Sequence, residues 1–194
     1  YTFVQYMKSL ILPLVLLMAL SLTAQTKQKT RILIIFDASG SMTSTLEKGT
    51  RMQAAKKIAL KMVDSFKSFS NVELALRVYG HQKTVDQKDC KDSRLEVPFA
   101  PNNHVLIKKR ITSLIPKGWT PIAYSLQESE KDFPAETGVR NLIIIVTDGL
   151  EECTGDPCAI SQALQKKGIF LKPFIIGVGS TDQFKLSFNC AGTY

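Results

Sequence analysis

Within Thr30 to Phe36 the chain carries an unbroken apolar run, Ile32-Leu33-Ile34-Ile35-Phe36, and Leu142 to Val146 is a second run of the same kind. Short runs without polar alternation are what a strand buried on both faces requires. Each leads to an aspartate, Asp37 directly and Asp148 after Thr147. Two buried strands that each deliver a carboxylate at the carboxyl end predict a site there.

Between these runs the period changes. Met52, Ala55, Ile58, Ala59, Met62, Val63 and Phe66 fall on one face of a helix from Arg51 to Ser68, with Lys56, Lys57 and Lys61 elsewhere on its surface. Val72 to Tyr79 alternates as a strand and stops at Gly80, and Leu95 to Phe99 is a short strand. The latter belongs at a sheet edge, because Pro98 has no amide hydrogen to give to a ladder. Asn102 or Asn103 is placed to cap a helix through Ile115, ended by Pro116 and Gly118. Pro121 suits the first turn of another helix, which reaches Phe133. After the Leu142 run, Pro157 opens a helix to Lys167 and Gly168 closes it. Phe174 to Val178 reads as the next strand, with Pro173 at its first residue. Strands alternating with helices of about ten to fifteen residues predict an α/β fold: an open, mostly parallel sheet with one short edge strand and helices on both faces.

The first residues do not fit that pattern. From Met7 the order is Lys8, an apolar run from Leu10 to Leu22 interrupted by Pro13, then Ala24 and polar Gln25 to Lys29. A charge, an apolar stretch and a small residue in that order mark a secretory signal peptide cut near Ala24, and about thirteen apolar residues are too few to span a bilayer comfortably. Residues 1–24 are therefore assigned to an N-terminal extension and signal, and 25–194 to one folded domain. At 194 residues and 44% hydrophobic content the chain has enough apolar material for one sizeable core. The formal net charge is +8, but lysine and arginine are scattered rather than gathered in an aromatic-laced stripe, which argues against a nucleic-acid footprint.

Four cysteines in an exported chain form an even set with three possible connectivities. The five-residue spacing of Cys153 and Cys158 favours a short bridge, leaving Cys90 with Cys190. Zinc is a poor alternative, with one close cysteine pair and both histidines distant in sequence.

The chemistry concentrates in Asp37-Ala38-Ser39-Gly40-Ser41, directly after the first buried strand. An aspartate and two hydroxyls at alternate positions, with Gly40 easing the turn, aim three oxygens at one centre. Oxygen donors with few carboxylates suit Mg²⁺, which keeps waters and leaves coordination positions open. Asp-x-Ser-x-Ser after a buried strand resembles the metal-site signature of von Willebrand factor type A (VWA) domains and integrin inserted domains. Two further pieces match in order: Gly118-Trp119-Thr120-Pro121-Ile122, and Ile145-Val146-Thr147-Asp148-Gly149. The resemblance implies a Rossmann-like sheet of order 3-2-1-4-5-6 with an antiparallel edge strand, and a metal-ion-dependent adhesion site (MIDAS) formed by Asp37, Ser39, Ser41, Thr120 and Asp148. It implies one divalent cation, Mg²⁺ with Mn²⁺ or Ca²⁺ as alternatives, completed by a carboxylate from a protein partner. It also implies binding rather than turnover; the leader places the domain at the cell surface, in the periplasm or in the medium, with no transmembrane span once it is removed, and the scattered charge leaves no nucleic-acid partner.

Against the family's pattern, the chain ends at Phe188 to Tyr194, where the sixth strand starts, so the last strand and terminal helix are expected to be missing. Asp37 and Asp148 at neighbouring strand ends repel each other, so without metal one of them should hold a proton more readily. Trp119 is a candidate binding anchor or a packed loop residue, and Glu151 and Glu152 are candidates to reach the metal or to belong to the Cys153 loop. His81, which follows the second strand, reads as a loop or rim residue. Two rivals remain: a structural or sensor scaffold of a larger envelope protein, and a metal-dependent hydrolase. The latter is disfavoured because an aspartyl phosphatase places a second Asp where Ser39 stands, and no Gly-rich phosphate loop is visible.

Overall fold

The computed structural model describes residues 27–149 and 151–175, with side chains described up to Lys172. The signal-peptide reading and the expected sixth-strand start fall outside these residues. β1 (Thr30–Asp37), β2 (Val72–Tyr79), β3 (Ser93–Ala100), β4 (Arg140–Thr147) and β5 (Ile169–Ile175) form one sheet in the order β3-β2-β1-β4-β5. All neighbours are parallel except β2 and β3. The expected α/β open sheet with one antiparallel edge strand is thus present.

Four helices cover it: α1 (Arg51–Ser65), α2 (His104–Ser113), α3 (Ile122–Ser129) and α4 (Pro157–Lys166). The unbroken apolar run of β1 now has a physical reading. Alternate residues of a strand point to opposite faces. Ile32, Ile34 and Phe36 enter a core with Met52, Ala55, Ala59 and Val63 of α1 and Ile107 and Ile111 of α2. Leu33 and Ile35 enter a second core with Ile122 and Leu126 of α3 and Leu164 of α4. Between Ile32 and Phe36 the strand is flanked by two cores and has no polar position to offer.

Local chemistry fixes the helix starts. Thr50 accepts from the Gln53 amide while the Gln53 side chain accepts from the Thr50 amide, a reciprocal capping box for α1. Asp156 caps α4, with Pro157 in its first turn. At α2 the expected position of the cap is right but its chemistry differs. Asn103 makes no side-chain cap; its Nδ2 donates instead to Leu74 O (2.7 Å) and Pro98 O (2.9 Å), tying β2 to β3.

Two expectations are corrected. The fifth strand starts at Ile169, not Phe174, and Pro173 lies within it, in register with Ile145. Among the described residues β5 is an edge strand, whose open side tolerates a residue without an amide hydrogen. A disulfide joins Cys90 to Cys153, so neither of the expected pairings, Cys153–Cys158 and Cys90–Cys190, forms. Asp156 and Pro157 commit Cys158 to the first turn of α4, which withdraws it from the preceding loop. No helix among the described residues is long and apolar enough to cross a membrane.

Candidate functional site

Because β1 and β4 are adjacent and parallel, their carboxyl ends place Asp37 and Asp148 side by side, where the connections leave the sheet in opposite directions. Both are almost wholly buried. Three loops are sewn together around them by backbone hydrogen bonds: Ala38 N to Tyr79 O, Lys117 N to Ala38 O, Gly118 N to Gly80 O and Gly40 N to Gly118 O. Gly80 is indispensable to this seam. Its φ is +67°, and a Cβ there would stand 2.6 Å from Trp119 O and 2.8 Å from Ser39 Cα.

Four of the five expected residues are joined by hydrogen bonds, Asp37 through the Ser39 amide. Ser39 Oγ lies 3.0 Å from Ser41 Oγ, and Ser41 Oγ donates to Asp148 Oδ1 at 2.8 Å. Asp37 Oδ1 accepts from the Ser39 amide at 2.7 Å. The fifth, Thr120, is buried across from Ser41, and a Cβ on Gly149 would stand 3.9 Å from both hydroxyls. Among the described residues no cluster of three or more His, Cys, Asp or Glu is arranged to hold a metal. What converges here is two carboxylates and three hydroxyls, a hard-oxygen set that fits Mg²⁺ or Mn²⁺ better than zinc.

Burial first, and then the charge of Asp148, raise the Asp37 carboxyl to about 6, against the hydrogen bonds that favour its ionised form. The sequence-based expectation that one carboxyl would hold its proton more readily is therefore met, and the group is Asp37.

Residues not foreseen complete the surroundings. Tyr79 Oη donates to Thr147 Oγ1 (3.0 Å), which donates to Asp37 Oδ2 (2.8 Å), a buried relay beneath the site. Burial and the nearby Asp37 push the Tyr79 hydroxyl well above its usual range, so it stays a donor. Thr147→Val removes the donor to Asp37 and the acceptor for Tyr79. We expect a loss of about 1–3 kcal/mol in denaturant unfolding measured in chelator.

Arg51, the first residue of α1, donates from Nη1 to Asp148 Oδ2 at 2.9 Å, and its Nε is buried without a partner. Both Asp148 oxygens are thus engaged, one by a hydroxyl and one by a guanidinium. Arg51→Met leaves Asp148 Oδ2 bare. Because Arg51 is about a quarter exposed, we expect a cost of about 2 kcal/mol, below that of breaking a fully buried pair. Removing the competing positive charge should make Mg²⁺ restore more stability to the variant than it adds to the wild type. Melting curves in chelator and in excess Mg²⁺ check both effects.

Glu151 and Glu152 serve the Thr120 loop. Glu152 Oε2 accepts from the Thr120 amide (3.0 Å), and Glu151 accepts from the amides of Ala123 (2.6 Å) and Cys153 (2.9 Å). Burial nevertheless raises the Glu151 carboxyl. His81 lies in the loop after β2, as expected of a loop residue, but is buried there, its Nε2 2.8 Å from Glu96 Oε1, and burial lowers its basicity. Trp119 is half-buried, with Nε1 donating to Val85 O at 2.8 Å.

Comparison with known proteins agrees with this fold. The family model of the von Willebrand factor type A domain matches residues 32–188. The chain belongs to the VWA family. This VWA domain is 31% identical over 162 residues to the uncharacterized protein YwmD of Bacillus subtilis (strain 168), covering 81% of this chain and 71% of that one. It is 27% identical over 170 residues to YwmC of the same organism, covering 85% and 73%. Among solved structures it is similar to BatB from Bacteroides thetaiotaomicron, with a TM-score of 0.62, 22% identity and coverage of 79% and 74%. It is also similar to proximal thread matrix protein 1 of the mussel byssus, with a TM-score of 0.64, 20% identity and coverage of 84% and 39%. The MIDAS motif of that protein is occupied by zinc. At these identities the structural likeness establishes the fold alone.

Proposed function

We propose that this VWA domain holds one divalent cation through Asp37, Ser39, Ser41, Thr120 and Asp148 and uses it to bind an acidic residue of a protein partner. The observation that carries the reading is a pair of buried carboxylates sharing one small space with three hydroxyls. Burial first, and then the neighbouring Asp148 charge, disfavour the ionised form of Asp37 in that position. A dication relieves the repulsion, and a shell of neutral hydroxyls with few carboxylates leaves it electrophilic toward an incoming carboxylate. Every other part is played by the protein: Thr147 and the Ser39 amide orient Asp37, Ser41 and Arg51 orient Asp148, and Glu152 fixes the Thr120 loop.

The Cys90–Cys153 bridge and the apolar leader together support export, with residues 1–24 removed. One observation favours a second reading. Arg51 already supplies a cation to Asp148, so a scaffold module without metal is the alternative.

Calorimetric titration with Mg²⁺, Mn²⁺ and Ca²⁺ separates the two. Saturable heat with one-to-one stoichiometry is expected, and an absence of heat with all three ions would leave the scaffold reading. Generic phosphate esters with Mg²⁺ should show no turnover; hydrolysis lost on Asp37 substitution would replace binding by catalysis.

A further inference from the structure

α1 and α2 lie antiparallel on one face of the sheet. Lys56 Nζ, near the start of α1, donates to Thr112 O (2.7 Å) and Leu114 O (2.8 Å) at the end of α2. Lys108 Nζ, near the start of α2, donates to both Asp64 oxygens at 2.8 Å, near the end of α1. Each helix buries one stripe, Met52, Ala55, Ala59 and Val63 in α1 and Ile107 and Ile111 in α2. The other sides face water, with Lys57 and Lys61 on α1 and Val105, Leu106 and Lys109 on α2. Lysines scattered in sequence are thus gathered on one surface. Asp64 is the one acidic residue of the two helices and the turn after α1, and Lys108 shares it with Lys67, 2.9 Å away. Lys57, Lys61 and Lys109 have no acidic partner among the described residues.

This surface ends in apolar side chains that belong to neither core. Beyond the Lys108–Asp64 contact, Val105 is 73% exposed, Leu106 59% and Phe69, just after α1, 46%. They sit at the amino end of β2, since Phe69 O accepts from the Val72 amide and Asn103, just before α2, donates to Leu74 O. Lys27 Nζ lies 5.9 Å from the Phe69 ring, so the chain enters the fold here and its apolar run, Leu10 to Leu22, is joined to this end. We propose that this end of the α1–α2 face docks on an anionic lipid bilayer, with Phe69, Val105 and Leu106 entering the headgroup layer and the surrounding lysines meeting lipid phosphates. A soluble acidic polymer would satisfy the lysines and leave the apolar side chains in water, whereas a bilayer takes both. Asp37 and Asp148 lie at the carboxyl ends of their strands, so docking turns the candidate site away from the lipid by the length of the eight-residue β1, roughly 25 Å. The inference does not depend on a bound cation.

The test is fluorescence quenching on the chain as the cell processes it, using vesicles of dibrominated phosphatidylcholine with and without phosphatidylglycerol. Leu106→Trp puts a reporter at an exposed position of the patch. With phosphatidylglycerol the introduced tryptophan should be quenched, while Trp119, read in the parent chain, keeps its emission because it stands at the far end of the sheet. Adding Lys61→Gln, Lys67→Gln and Lys109→Gln, all at exposed positions, should weaken vesicle affinity about a hundredfold, about fivefold for each lysine. Circular dichroism should show that these variants keep the parent's fold. Equal quenching without phosphatidylglycerol, or in the lysine variant, would mean that the leader rather than this face holds the chain. Quenching of Trp119 would reverse the orientation, and binding to soluble polyphosphate with no quenching by vesicles would reassign the face to a polymer. Each of these results overturns the proposal, as does a chain that binds neither.

Discussion

Titrated with Mg²⁺, the Asp37→Ala protein should give no saturable heat, and partner or peptide binding should no longer respond to chelator; an affinity within about tenfold of wild type would count against the proposed metal site. The effect is large because Asp37 is one of only two carboxylates in the donor set and hydroxyls alone do not hold a dication. Asp37→Asn separates metal loss from folding. In the metal-free protein the Asp37 carboxyl is raised from 3.8 to about 6, by burial and then by Asp148. The folded state therefore binds that proton more tightly than the unfolded chain does. The contribution of this group to stability is fully present below about pH 4, declines as pH rises, and is lost above about pH 6. Metal-free Asp37→Asn should accordingly exceed wild type in stability at neutral pH, by an amount on the order of 2–3 kcal/mol, and lose that advantage as pH falls to 4. For the wild type the same proton competes with the cation, so Mg²⁺ affinity should weaken as pH falls through about 6. Unfolding in denaturant across pH 4 to 8, in chelator, reads the first effect, and calorimetry reads the second.

Replacing both Cys90 and Cys153 by serine should cost about 4 kcal/mol, the chain-entropy value for cross-linked residues 63 positions apart. The bridge joins the β2–β3 loop to the segment that follows β4, and that segment carries Glu151 and Glu152 onto the backbone of Thr120 and Ala123. Its loss should therefore reduce cation affinity as well as stability. Denaturant unfolding of the double variant together with Mg²⁺ titration examines both. A stability loss below about 1 kcal/mol with unchanged affinity would mean that the loops hold their positions without the covalent tie.

Much of the architecture was legible before any coordinates. The unbroken apolar run of β1 and the helical spacing from Met52 to Phe66 each admit one burial pattern, because backbone geometry converts residue period directly into facing. The fifth strand was misplaced by weighting Pro173 as a strand start and overlooking Ile169-Phe170-Leu171. At an edge, a proline disrupts pairing less than it does in the sheet's interior. Thr147 and Arg51 left no trace as site residues. A threonine ending a strand and an arginine opening a helix are ordinary in sequence, and their roles exist only where their partners, 110 and 97 positions away, are brought to them.

The sequence alone determined two strands buried on both faces and an aspartate at the end of each, since hydrophobic period suffices for both; that these ends are neighbours was implied by the family resemblance and is shown by the sheet order. Only the tertiary structure decided which cysteines pair, that Arg51 rather than solvent faces Asp148, and that Trp119 donates to Val85 O. Those contacts join loops far apart in the chain, and their energies depend on distances and burial that no local pattern encodes.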